Sequence, residues 1–247
     1  MSKTIDRLII NRPHEEPSRH WSYDQETGDF NLVAKRREAG YIKAPPRSRS
    51  ARDPGEFVAI PLVNQIRPRV KAWREGGYLG ATSITRRLLA YWYDPAQRQE
   101  QQFFFCQLEA IETLMWRTEA PAAERVGIQV PSDGGAFERW CSKMATGSGK
   151  TVVMSMMVAW QVLNKIAYPR DTRYSKAIFV VAPNLTVKER LQVLMPSHPD
   201  NYYEAFNIVP MSLMAQLRQV KLVIENWHTL QWESQARLNE RVKKGQL

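Results

Sequence analysis

Sulfur and imidazole are both scarce in this chain. Of its 247 residues only Cys106 and Cys141 are cysteines. Two thiols make no disulfide framework and no metal-ligand spacing, so a reducing cytoplasm suits them. The four histidines, His14, His20, His198 and His228, are scattered, which excludes a histidine-based metal motif and supports no Ser/His/Asp arrangement. The opening residues, Met1-Ser2-Lys3-Thr4-Ile5-Asp6-Arg7, lack the apolar core of a signal peptide. No run is long and apolar enough to span a membrane. The stretch after Lys150 comes closest, and Ser155, Gln161, Asn164 and Lys165 interrupt it. There is no internal repeat.

Positive charge, in contrast, is in surplus. Lys and Arg number 35 against 25 Asp and Glu, a net charge of +10. Such a surplus favours polyanionic partners, nucleic acid first and anionic membrane second; a basic surface with no partner is the bland alternative. A hydrophobic content of 43% over this length is enough for one large domain or two small ones.

The composition shifts along the chain. Residues 1–56 are rich in Arg, Pro, Glu and Asp and read as an arm, with Pro45-Pro46 and Arg47-Ser48-Arg49-Ser50 as a linker. Residues 57–137 read as mainly helical. Leu62, Ile66, Val70 and Trp73 recur at helical spacing, Arg67, Arg69, Lys71 and Arg74 fall mostly elsewhere around the same stretch, and Pro68 is expected to kink or restart it. Thr82 or Ser83 can cap a second helix reaching Tyr93, with Arg86 and Arg87 exposed. A third, from about Gln102 to Thr118, carries Phe105, Leu108, Ile111 and Met115, and a loop follows from Glu119 to Phe137. Trp73, Trp92, Trp116, Trp140 and Trp160 read as core or interface rather than as base-stacking platforms.

Residues 138–247 change to an α/β pattern. Ala177–Ala182 is a β-branched and apolar run, expected as a central parallel strand covered on both faces. Helices are expected over Leu185–Leu194 and Met211–Arg218, a short strand over Phe206–Val209 and another over Val220–Glu225.

At the head of this region stands Met144-Ala145-Thr146-Gly147-Ser148-Gly149-Lys150-Thr151. It matches the phosphate-binding pattern G-x-x-x-x-G-K-[ST] except that Met144 takes the first glycine's place. Gly147 and Gly149 allow the tight backbone curl that aims several N–H groups at one phosphate, with Thr146 and Ser148 completing the loop. Lys150 brings a mobile charge to the β- and γ-phosphates, and Thr151 a hydroxyl for Mg²⁺. The apolar residues after it read as a buried helix whose N-terminus adds its dipole. Such a loop must also leave a strand, and Arg139–Met144 is a poor strand by propensity. A nucleoside triphosphate with Mg²⁺ is the ligand the loop leads one to expect.

These residues resemble motif I of the superfamily-two DEAD/DEAH-type helicases and translocases, and most of all the motor of type III restriction enzyme R subunits. Three further segments resemble that family, in its order. Phe104-Phe105-Cys106-Gln107-Leu108 looks like the adenine-reading segment. Val180 to Val187 looks like motif Ia, and Val223 to Leu230 like the strand and turn before the acidic box. The resemblance implies a RecA-like P-loop NTPase fold with a mostly parallel sheet, incomplete here and preceded by a mainly helical region. It implies that Gln107 hydrogen-bonds the adenine edge, that Thr146 to Thr151 hold ATP and Mg²⁺, and that Pro183, Asn184 and Thr186 lie against DNA. The implied function is an ATP-dependent DNA helicase or translocase of a restriction or phage-defence enzyme, acting on double-stranded DNA. A DNA methyltransferase subunit is a further partner in such systems. The long separation of Gln107 from Lys150 requires an inserted loop between Glu119 and Phe137.

The departures are equally definite. No Asp-Glu pair occurs in the chain, so the family's acidic box is absent, as are the second motor domain and any nuclease carboxylate cluster. Phosphoryl transfer needs more than phosphate binding: it needs a metal-holding carboxylate, a positioned water and charge on the γ-phosphate. The expectation is the N-terminal portion of a larger motor, inactive or weakly active alone. Two alternatives stand beside it. One is a complete small P-loop kinase or NTPase with Glu225, at the end of an apolar strand, as the Mg²⁺-linked acid. The other is a non-catalytic nucleic-acid-binding module.

Overall fold

The computed structural model describes residues 8–24, 26–43, 55–98 and 101–230. The chain divides into two compact units, Met1–Val153 and Met154–Leu247. That division does not coincide with the break expected at 137/138. The Pro45–Ser50 linker lies outside the described residues.

Residues 1–56, expected as an arm, hold strands. Strand β1 (His20–Tyr23) pairs antiparallel with β2 (Phe30–Val33), and β3 (Gly40–Lys43) pairs antiparallel with β4 (Glu56–Ala59). Asp24 closes the first pair. Its N–H donates to Asp29 O at 2.8 Å and its carbonyl accepts from Gly28 N at 2.9 Å.

Three helices form the core of this unit: α1 (Pro61–Glu75), α2 (Ser83–Tyr93) and α3 (Phe105–Glu119). Proline at its first turn suits the start of α1, and the helix runs unbroken through Pro68. Thr82 caps α2 by accepting from Thr85 N, as expected. Ile66, Val70 and Trp73 of α1, Leu88, Leu89 and Trp92 of α2, and Phe105, Leu108, Ile111, Met115 and Trp116 of α3 are buried. Trp92 meets Phe103 edge-on at 6.5 Å. Of the five tryptophans read as core, four are buried and Trp140 is exposed.

The basic residues of α1 are not merely a solvated face. Arg74 donates from Nε and Nη2 to Glu112 of α3, which is fully buried and also accepts from Tyr78 Oη at 2.9 Å. Burial pulls the Arg74 guanidinium down, but the hydrogen bonds and charge of Glu112 hold it above its ordinary value. At the far end of α3, Glu119 accepts from Thr82 N at 2.8 Å and from Thr85 Oγ1 at 2.7 Å, tying the α2 cap to it.

Helix α4 (Lys150–Ala167) contains the division between the two units. In the second unit the order is β5 (Ala177–Ala182), α5 (Leu185–Arg190), a 3-10 turn over Leu191–Leu194, α6 (Tyr202–Ala205), α7 (Met211–Leu217) and β6 (Lys221–Asn226). Strands β5 and β6 are parallel, in the register Ala177↔Lys221 to Ala182↔Asn226. A parallel pair needs a crossover, and the helices between supply it. Ala182, Leu191, Leu194 and Ile224 form a buried cluster that Met154, Val180, Val187, Met195 and Leu222 pack against.

Two expectations for this unit are corrected. The strand pair is covered on one face only: Phe179 is 54% exposed, Val181 47% and Val223 49%. Phe206–Val209 is no strand. Asn207 takes the left-handed conformation, φ 50°, and Ile208 N donates back to Tyr203 O at 2.9 Å, so the run closes α6, with Ile208 and Val209 buried and Phe206 exposed. The architecture is α/β with three two-stranded sheets among the described residues.

Candidate functional site

The Met144–Lys150 loop forms a tight turn immediately before α4. Gly147 and Gly149 both have φ 78°, in the left-handed region where a side chain is strained. Ser148 folds the turn by donating from Oγ to Ala145 O at 2.7 Å. Gly149 O accepts from Val152 N at 2.9 Å and opens the helix. The Lys150 ammonium curls back onto two carbonyls of the loop, Met144 O at 3.1 Å and Ala145 O at 2.8 Å. Thr151 lies half-buried in the first turn of α4.

The strand expected to lead into this loop does not form. Residues 138–145 have no regular structure and are mostly exposed. Their side chains make other contacts instead. Arg139 pairs with Asp133, Trp140 Nε1 donates to Glu138 at 2.9 Å, and Lys143 lies 4.4 Å over the Tyr41 ring. Charges at Glu138, Arg139 and Lys143 oppose burial of the segment in a sheet.

Gln107 meets the loop through its side chain. Its Oε1 accepts from Phe104 N at 2.9 Å, a cap on α3, and its Nε2 donates to Ser148 O at 3.1 Å. It is only 5% exposed. A Cβ on Gly149 would run into this amide, which would have to leave Ser148 O to admit it.

The residues before β1 dock onto the same end of α3, and nothing in the sequence pattern marked them. His14 Nδ1 lies 2.9 Å from Phe103 O, and Phe105 N donates to Pro13 O at 2.9 Å. Behind them Arg36 forms a two-pronged ion pair with Glu109 at 2.7 and 2.6 Å and reaches Glu16 at 3.3 Å. Contacts between positions so distant in sequence leave no periodic trace.

The remaining expected residues lie in the second unit. Pro183, Asn184 and Thr186 follow β5 and are exposed. Asn184 caps α5, its Oδ1 accepting from Val187 N at 2.9 Å. Glu225 is bound by Lys188 Nζ at 2.8 Å. That hydrogen bond holds its carboxyl below the ordinary carboxylate value. No group of three or more metal-capable side chains occurs among the described residues. No helix among them is long and apolar enough to cross a membrane.

A family model, type III restriction enzyme, res subunit, matches residues 100–246. No curated protein and no solved structure matches. The matched span covers more than half of the chain and takes in Gln107, the phosphate loop and the β5–β6 pair. The chain belongs to the family of type III restriction enzyme res subunits.

Proposed function

We propose that the chain binds ATP on the Met144–Thr151 loop and works as the nucleotide-binding part of an ATP-dependent helicase or translocase motor of a restriction enzyme. The observation that carries this reading is the loop itself: two left-handed glycines immediately before Lys150 opens an 18-residue helix. That conformation turns successive N–H groups toward one side, and the helix N-terminus adds to their pull on an anion. Family membership supports an enzyme of the ATP-hydrolysing helicase kind.

A triphosphate fits the residues present. The Lys150 ammonium holds only neutral carbonyls, which phosphate oxygens outcompete as charged acceptors. Ser148 and Gln107 hold the turn from both sides and keep its shape. Thr151 would offer its hydroxyl to Mg²⁺, and the ion would supply positive charge against the phosphates. Within the same reading, Pro183, Asn184 and Thr186 rest against a strand of duplex DNA, and a methyltransferase subunit completes the assembly.

The test is a titration of the 247-residue chain with a fluorescent ATP analogue and Mg²⁺. Lys150→Ala removes a charge-assisted contact, and affinity is expected to fall about tenfold or more. Equal binding by the two proteins overturns the reading.

A further inference from the structure

Residues 139–145, which lead into the phosphate loop, leave room between themselves and the helices beside them. A cavity of about 530 Å³ lies there, walled by α1, α3 and this segment. Its α3 wall runs from Cys106 to Arg117, about three turns of helix. A space of that size suits a small organic molecule. Ile66, Leu114 and Trp140 give the lining an apolar body. Of the loop, Met144, Ala145 and Ser148 border the cavity; Gly147, Gly149, Lys150 and Thr151 do not, and neither does Gln107. The groups that would hold a triphosphate therefore face elsewhere.

Charge around the cavity is one-sided. Arg67, Arg117, Arg139 and Lys143 line it, against a single carboxylate, Glu109. Arg36 already holds Glu109 at 2.7 and 2.6 Å. Arg67 is left 3.7 Å from that carboxylate, and its buried Nε finds no hydrogen-bond acceptor. Its Nη1 donates to Arg37 O at 3.3 Å. Burial holds this guanidinium below its ordinary pKa, as expected of a charge short of a counter-ion.

We propose that this cavity binds a small apolar acid, a flat system of about two fused rings whose carboxylate pairs with Arg67. The rings fill the apolar part of the lining and gain contacts with α1, α3 and Trp140. The carboxylate brings Arg67 the charged acceptor that Glu109 gives mainly to Arg36. A neutral ring system leaves that guanidinium as it is, and a cation meets four like charges. The cavity serves this ligand whether or not the loop holds a triphosphate.

The chain carries its own reporters. Its two cysteines, Cys106 and Cys141, both line the cavity, and both thiols are free and exposed. Alkylation of each by iodoacetamide is followed by mass spectrometry on the full chain, with rising 2-naphthoate or with 2-naphthalenemethanol, a neutral compound of nearly the same shape. Both compounds should slow both thiols saturably, 2-naphthoate with a midpoint about tenfold lower, the worth of a charged hydrogen bond. Arg67→Gln should erase that difference and leave the midpoint of the alcohol unchanged, which also shows that the cavity is formed. Saturating ATP with Mg²⁺ should not relieve the protection. Absence of protection, protection of one thiol alone, or equal midpoints in the unaltered chain overturns the proposal. So does an Arg67→Gln protein that keeps the preference for the acid. Relief by ATP also overturns it, by making the cavity part of the nucleotide site. Should Arg67→Gln lose both compounds through misfolding, the two midpoints in the unaltered chain still decide.

Discussion

Gly147 and Gly149 share a φ of 78° but not their surroundings. A Cβ at Gly147 meets nothing within 4 Å, whereas one at Gly149 collides with the Gln107 amide. Gly147→Ala therefore costs about 1 kcal/mol of backbone strain. Gly149→Ala adds the loss of the Gln107–Ser148 bond, and should weaken binding of an ATP analogue clearly more. Equal affinities in a titration of the two variants would mean that Gln107 does not shape the loop. The family resemblance implied an adenine-reading role for Gln107 and so a place near the loop; that both ends of its amide go to backbone was not legible. Glu225 gives a second residue-scale outcome. Its carboxyl is held low by Lys188, so the contact is complete above the ordinary carboxylate value and is lost as pH falls through the lowered one. A carboxyl-detected NMR titration should place Glu225 below an ordinary glutamate, and Glu225→Gln should leave ATP-analogue affinity unchanged. A marked loss of affinity in that variant would favour the small-enzyme alternative, in which Glu225 serves Mg²⁺.

Among elements, legibility follows the strength of the periodic signal. Helices α1, α2 and α3 were set by apolar spacing and a threonine cap, and β5 and β6 by β-branched runs. The four-residue strands near the N-terminus carry no such signal. His20-Trp21-Ser22-Tyr23 mixes polar and aromatic residues, and its pairing depends on a turn at Asp24 and Gly28. The Phe206–Val209 run misled for the opposite reason: it is apolar enough for a strand, but Asn207 bends it into a helix end. What joins the helices was also hidden, because ion pairs cross between them. Glu112 is fully buried, with Arg74 and Tyr78 on it, whereas Glu109 is partly exposed beside Arg36. Glu112→Ala leaves a guanidinium and a hydroxyl without their acceptor and should cost about 3–5 kcal/mol. Glu109→Ala should cost about 1 kcal/mol, since water can replace a partly exposed carboxylate. Urea unfolding of both variants checks the order, and a Glu112→Ala protein as stable as Glu109→Ala would show that the buried pair does not hold α1 to α3.

At the scale of the whole molecule, charge is what the sequence states most directly. A surplus of +10 does not say where the cations go, and many are already matched: Arg36, Lys71, Arg74, Arg117, Arg139, Arg173, Lys188 and Arg218 all have carboxylate partners. Pairing of that kind tethers a cation but cannot remove the excess, which remains available to a polyanion. If duplex DNA is that partner, its affinity for the chain should fall linearly with salt on logarithmic axes, because each phosphate contact releases counterions. Between about 50 and 200 mM salt a protein making several such contacts loses orders of magnitude in affinity. Lys150→Ala should leave that slope unaltered, since this cation serves the loop and not the duplex. The two measurements then separate two uses of charge in one chain. A common loss of ATP-analogue and DNA binding in Lys150→Ala would merge the sites. A salt-independent affinity would deny that the surplus is a nucleic-acid footprint at all, and Pro183, Asn184 and Thr186 would then have no duplex to rest against.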